Sequence, residues 1–315
     1  MEYSFKLGKG KEDLIVHGSM LTRHGLISGA SGSGKTITLK VIVENLSKMG
    51  VPVLLTDIKG DLMSLSKEGN INEKISERLD KVDLPQYENR AFPIEIFDIY
   101  GKTGIPMRST ISEMGPILLS KLLALNSIQE GVLNTAFVVA DEKEYFLHDI
   151  KDLKAMLNYI YDNRDMYERK YGNIQKSTIG AILRSLTLIE GQGGDFFFGQ
   201  PTFDINDLFR NENGLGLVNI VDGRELINNP SIYSTFLIWL LSEIYENLPE
   251  VGDLDKPKFV FFFDEAHTIF SNADEEIVEE IEKIVRLIRS KGVGIFFISQ
   301  DPLDIPEKIS SQLGN

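Results

Sequence analysis

Leu21 to Asp61 reads LTRHGLISGASGSGKTITLKVIVENLSKMGVPVLLTDIKGD. A short apolar run leads into a loop of glycine and serine, then a helix with one apolar face, a stop at Gly50 and a second apolar run. That succession predicts a βαβ unit with parallel strands. Further buried parallel strands are predicted at Phe92–Tyr100 (FPIEIFDIY), Leu215–Val221 (LGLVNIV), Lys258–Glu265 (KFVFFFDE) and Gly292–Ser299 (GVGIFFIS), because these runs are nearly continuous in apolar residues. Several end in a polar residue, at the strand end where open α/β sheets bind ligands. The fold class is therefore α/β with a mainly parallel central sheet.

Within the first run, GASGSGKT spans Gly29 to Thr36 and fits the pattern G-x-x-x-x-G-K-[ST]. The intervening Ala30, Ser31, Gly32, Ser33 and Gly34 are small, so successive backbone amides can curl around phosphate oxygens. The helix that follows, through Lys35, Thr36 and Ile37, turns its positive N-terminal end toward the same phosphates. Lys35 is placed to reach the β- and γ-phosphates, and the Thr36 hydroxyl to ligate Mg²⁺.

Asp264 and Glu265 follow the apolar FVFFF, so both stand at the carboxyl end of a central strand. Near a phosphate loop, Asp264 is expected to bind the metal, directly or through water, and Glu265 to polarise an attacking water as general base. That adjacent pair points to hydrolysis, since a kinase or a nucleotide carrier has no use for an activated water. GIFFISQ repeats the arrangement: Gln300, with Ser299, is expected to read the γ-phosphate or position water, against the plainer reading of a polar strand end. His267 has a structural reading at least as good as a catalytic one. For Asp57, Lys59 and Asp61, in TDIKGD, two readings stay open: the acids support the metal from behind its direct ligands, or the segment is a strand-exit turn around Gly60. Arg286 and Arg289 lie on a helix whose apolar stripe is Ile277, Ile281, Ile284, Val285 and Ile288. Either could stabilise transition-state charge in a neighbouring subunit, while Glu282, four residues before Arg286, offers an ordinary surface ion pair.

Between Tyr100 and Gly214 the pattern turns helical, as in MGPILLSKLLAL, DLKAMLNYIY and IGAILRSLTLIE. Residues 101–213 therefore read as a helical insertion between two parts of a nucleotide-binding core, 1–100 and 214–315. The formal charge of −14 opposes a surface that coats nucleic acid, though a local basic pore remains compatible with it. With no cysteine, disulfides, thiolate catalysis and cysteine zinc sites are excluded. The N-terminus lacks the apolar core of a signal peptide and the most apolar helix candidate, IYSTFLIWLLSEIYENL, is broken by Ser, Thr and Glu, so a cytoplasmic protein without membrane partners is expected.

RHGLISGASGSGKTITL, GVPVLLTDIKGDL, LPEVGDLDKPKFVFFFDEAHTIF, VRLIRSKGVGIFFISQDPLDIP and QLGN together resemble bacterial HerA-like helicase C-terminal domain proteins, within the HerA/FtsK group of P-loop ATPases. The resemblance runs through essentially the whole chain. It implies a RecA-like core in which the sensor strand lies between the phosphate-loop strand and the acid-bearing strand, and an ATPase acting as a ring, often a hexamer. By motif position it gives Lys35 and Thr36 the nucleotide and metal roles, Asp264 the metal, Glu265 the base and Gln300 the sensor. It assigns neither arginine. Family members continue past QLGN into an arginine-containing segment, so the sequence reads as an N-terminal piece; if that segment supplies an arginine in trans, the piece would hydrolyse ATP weakly. The tetrapeptide DEAH also names a group of two-domain helicases, but nothing after Asp264 has room for their second domain.

Two functions compete on this reading. One is an ATP-driven motor moving DNA; the other is an ATP-dependent assembly or regulatory module acting on a protein partner. A nucleotide-binding protein without hydrolysis is disfavoured by Glu265.

Overall fold

The computed structural model describes residues 3–84, 87–252, 254–270 and 275–315. Along the chain come β1 (Ser4–Lys9), β2 (Asp13–His17), β3 (Gly25–Ser28), α1 (Lys35–Lys48), β4 (Val53–Asp57), α2 (Glu73–Val82) and β5 (Ile94–Asp98). A run of helices follows, among them α3 (Ile111–Leu122), α4 (Ser127–Glu142), α5 (Ile150–Asp162), α6 (Arg164–Tyr171) and α7 (Lys176–Gly191). The chain then forms β6 (Val218–Asp222), α8 (Pro230–Asn247), β7 (Phe259–Phe263), α9 (Glu275–Ile288) and β8 (Val293–Ser299). Among the described residues no helix is long and apolar enough to cross a membrane.

The chain divides into two compact units. The first holds Met1–Phe97, Asp204–Pro230 and Leu240–Asn315, and its sheet runs in the order β3-β8-β7-β4-β6-β5. Every pair from β3 to β6 is parallel, with Ser28 level with Ser299, Phe297 with Phe263, and Phe263 with Thr56. β4, β6, β7 and β8 are buried along their whole length, which is why their sequences are apolar runs rather than alternations. In β7 the side chains alternate: Val260 and Phe262 join a core that includes Leu39, Ile42, Val43 and Leu46 of α1, while Phe259, Phe261 and Phe263 point to the other face. Burying each of these side chains contributes about 1.5–3 kcal/mol. α1 stops where expected: Gly50, with a φ of 68°, donates its amide to Ser47 O, and Val51 donates to Leu46 O.

β1 and β2 pair as an antiparallel hairpin, which the polar sequence around Gly8–Asp13 did not announce. β3 is an edge strand, and the C-terminal residues cover its start: Gly314 donates to Arg23 O, Leu26 to Asn315 O, and the Asn315 amide to His24 O.

The second unit holds Asp98–Phe203 with Ser231–Trp239, so residues 204–213 belong with the core and part of α8 with the helices. Its helices α3, α4 and α5 begin at side-chain caps. Thr110 with Glu113 and Asn126 with Gln129 form capping boxes, and the Asp149 carboxylate accepts from the amides of Lys151 and Asp152. Leu119, Leu133, Ala136, Leu153, Leu157 and Ile182 are fully buried within it. α3 is broken at Gly115, whose φ is 71°, just before Pro116.

Candidate active site

Gly34 is the N-cap of α1 and adopts a φ of 100°, a left-handed conformation in which an L side chain is strained. No side chain caps this helix, so the first-turn amides of Lys35, Thr36 and Ile37 lack intrahelical acceptors and face the loop. The loop is closed by Gly29 donating to Ser299 O at 3.3 Å and Ser33 to Ala30 O at 3.1 Å. A Cβ on Gly29 would stand 2.6 Å from Ser33 Oγ, so the chain packs against itself there. Lys35 Nζ folds over the loop and donates to the carbonyls of Gly29 and Ala30. An uncapped helix end, a ring of small residues and an ammonium form an anion cradle.

Two strands away, β7 delivers Asp264 and Glu265. The Asp264 amide donates to Thr56 Oγ1 at 3.1 Å, tying the exit of β7 to β4. The Asp264 side chain is buried, and that burial, with the Glu265 charge beside it, pushes its carboxyl up to about 6. An oxygen donor short of solvent and of a bonded cation suits a divalent metal. The Thr36 hydroxyl and Asp264 are hard ligands of the type Mg²⁺ prefers. Among the described residues no cluster of three or more His, Cys, Asp or Glu could hold a metal alone. A cation that takes its remaining ligands from water and phosphate fits this donor set.

Glu265 turns a corner. Its φ is 47°, unusual for a residue with a side chain, and the next amide, Ala266, donates to Ile298 O of β8. Glu265 is 4% exposed. Lys59 Nζ bonds its Oε1. His267 Nδ1 lies 3.3 Å from Oε2 but out of line for a hydrogen bond, which leaves Oε2 with no such partner among the described residues. Burial pushes the Glu265 carboxyl up, yet Lys59, the Gln300 amide and the His267 side chain together outweigh burial and hold it below its ordinary value. Lys59 is raised in turn, chiefly by its bond to Glu265. Gln300, exposed at the end of β8, also accepts from Ser31 Oγ at 3.5 Å, so the same side chain borders the loop and the acid.

The other candidates lie as follows. Asp57 is fully buried and spends both oxygens on its own turn, accepting from Gly60 N at 2.7 Å and Leu62 N at 3.0 Å. Burial raises its carboxyl, with those two amides acting against the rise. Asp61 is exposed, and its carbonyl accepts from Lys40 of α1 at 2.9 Å. Arg286 stands 3.7 Å from Glu282. With Arg289 and Arg23 it borders a cavity of about 590 Å³ before the start of β8, the end remote from Ser299 by roughly 20 Å of strand. Neither arginine reaches this chain's own phosphate loop.

Lys59 is the member sequence reasoning left without a role. Only the neighbouring of β4 and β7 puts it against Glu265, and no local pattern encodes that pairing.

The chain matches the family model described as helicase HerA-like C-terminal over residues 3–315. It is 24% identical to the DNA double-strand break repair helicase HerA of Sulfurisphaera tokodaii over 326 aligned residues, covering 100% of this chain and 59% of that protein. The chain thus spans little more than half the length of that relative. VirB4 of Thermoanaerobacter pseudethanolicus superposes with a TM-score of 0.61 at 14% identity, covering 98% of this chain and 80% of that one. The plasmid coupling protein TrwB in complex with ADP and Mg²⁺ superposes with a TM-score of 0.57 at 13% identity, covering 93% and 68%. These likenesses establish a P-loop NTPase fold for this chain, and in its own sheet β3, β8 and β7 lie side by side in the order the resemblance implied.

Proposed function

Because the chain belongs to the helicase HerA-like C-terminal family, we propose that it is a Mg²⁺-dependent ATP hydrolase of the HerA/FtsK type, working in the cytoplasm as a ring that moves DNA. One observation carries the hydrolase reading: the phosphate loop, Gln300 and the Asp264–Glu265 pair converge from the carboxyl ends of three adjacent strands, β3, β8 and β7.

In this reading the amides from Ala30 to Thr36 and the Lys35 ammonium hold the β- and γ-phosphates. Thr36 and Asp264 would hold Mg²⁺, which when bound neutralises charge developing on the phosphate oxygens. Glu265 accepts a proton from water. The water oxygen bonds to the γ-phosphorus as the bond to the β-phosphate oxygen breaks, and the electron pair leaves with ADP. Gln300, bordering both Ser31 and Glu265, orients the attacking water. ATP rather than another nucleotide is chosen from the family resemblance alone. Arg286 and Arg289, remote from this chain's own loop, are available to a neighbouring subunit.

The charge of −14 favours a second cargo, a protein partner whose assembly ATP controls. ATPase assays with and without duplex DNA separate the two. Stimulation by DNA that disappears in Glu265→Gln supports the motor; hydrolysis indifferent to any nucleic acid removes it. Sedimentation with and without ATP tests the ring.

A further inference from the structure

We infer that Lys59 is a positioning residue for Glu265: by bonding Oε1 it fixes the direction of the carboxylate that takes the proton from water. This rests on the hydrolase reading above and names a residue that reading does not require.

Lys59 follows β4, and β4 lies beside β7 with Thr56 level with Phe263, so the turn after β4 borders the acids that follow β7. That turn is held firmly. The Asp57 carboxylate accepts from Gly60 N and Leu62 N, Gly60 adopts a φ of 78°, and Lys40 of α1 donates to Asp61 O at 2.9 Å and Ser64 Oγ at 3.0 Å. The anchoring helix is the one that starts at the phosphate loop.

The pair differs from an ordinary surface ion pair, which contributes little because both partners are solvated. Here the Lys59 side chain is 50% exposed but that of Glu265 only 6%. Without Lys59, a buried carboxylate would lose the ammonium bonded to it and the contact that fixes its rotamer at a left-handed backbone corner. Oε1 is occupied by the ammonium, and the nearby His267 Nδ1 makes no hydrogen bond to Oε2. The ammonium thus fixes the rotamer and plane of the carboxylate, as a base with a defined direction requires.

The test compares wild type, Lys59→Met, Lys59→Gln, Lys59→Arg and Glu265→Gln, measuring kcat and KM for ATP with Mg²⁺, ADP affinity by titration, and thermal melting. The expected result is a fall in kcat on the order of 10- to 100-fold in the Met and Gln variants, typical of removing a group that orients a reacting side chain. KM and ADP affinity should stay within about twofold, since ground-state binding is untouched, and Lys59→Arg should recover most of the rate. Met and Gln variants with wild-type kcat would overturn the role of Lys59 alone. So would losses of kcat, ADP binding and melting temperature in parallel, which Lys59→Arg fails to rescue. Wild-type hydrolysis that survives Glu265→Gln would instead overturn the hydrolase reading, and the Lys59 role with it.

Discussion

Replacing Asp264 with asparagine should stabilise the protein at neutral pH while destroying its activity. Burial and the Glu265 charge raise the Asp264 carboxyl from its ordinary 3.8 to about 6. The folded-state value lies above the unfolded one, so the native state holds the extra proton between about pH 4 and pH 6 and loses stability as pH rises through that window. A shift of about two units corresponds to about 3 kcal/mol of strain at pH 7. Asparagine keeps the shape without the charge and should recover part of it, raising the melting temperature by roughly 5 °C in a chain of this size. Thermal melts of both proteins in EDTA from pH 4 to pH 8 provide the assay. The advantage of Asp264→Asn should be small at pH 4, grow to about pH 6.5 and then level off. A variant no more stable than wild type at pH 7, or an advantage independent of pH, would refute the attribution to a carboxylate desolvated beside the Glu265 charge. A site that accepts such strain is expected where function demands an ionised group in a buried place.

His24 should oppose this trend at acid pH. Burial lowers its imidazole to about 4, its Nδ1 accepts from Ile295 N at 3.0 Å, and its Nε2 lies near the Val285 carbonyl without meeting hydrogen-bond geometry. The folded-state value is depressed, so the stability is complete above about pH 6.5 and falls by about 3 kcal/mol as pH drops toward 4; urea melts should show this slope in wild type and not in His24→Asn. Gly34→Ala places a side chain at a φ of 100° and should cost about 1–2 kcal/mol. It should also weaken ADP binding, measured by titration, because the loop amides no longer converge.

The sequence disclosed those parts of the molecule whose chemistry is contiguous. The run from Gly29 to Thr36 specifies its own geometry, since left-handed glycines and an uncapped helix start are local properties. The continuous apolar runs of β7 and β8 likewise announced strands buried on both faces. What was hidden depends on strands distant in sequence. That Lys59 meets Glu265, 206 residues away, follows from β4 lying beside β7. TDIKGD alone could not separate metal support from a turn; in the fold the Asp57 oxygens are taken by the amides of Gly60 and Leu62, while Asp61 is exposed. The β1–β2 hairpin escaped notice because Leu14 and Ile15 face solvent, so its alternation carries no core signal.

The central claim is that Glu265 activates water for attack on a nucleotide held by the Gly29–Thr36 loop. It is tested most directly by measuring phosphate release from ATP in wild type and Glu265→Gln, with Mg²⁺ and with EDTA, alongside ATP binding by each protein. Hydrolysis that requires Mg²⁺ and falls by at least about 100-fold in Glu265→Gln, with ATP still bound, is the predicted result. Equal rates in the two proteins, or a loss of ATP binding that accounts for the loss of rate, would contradict it.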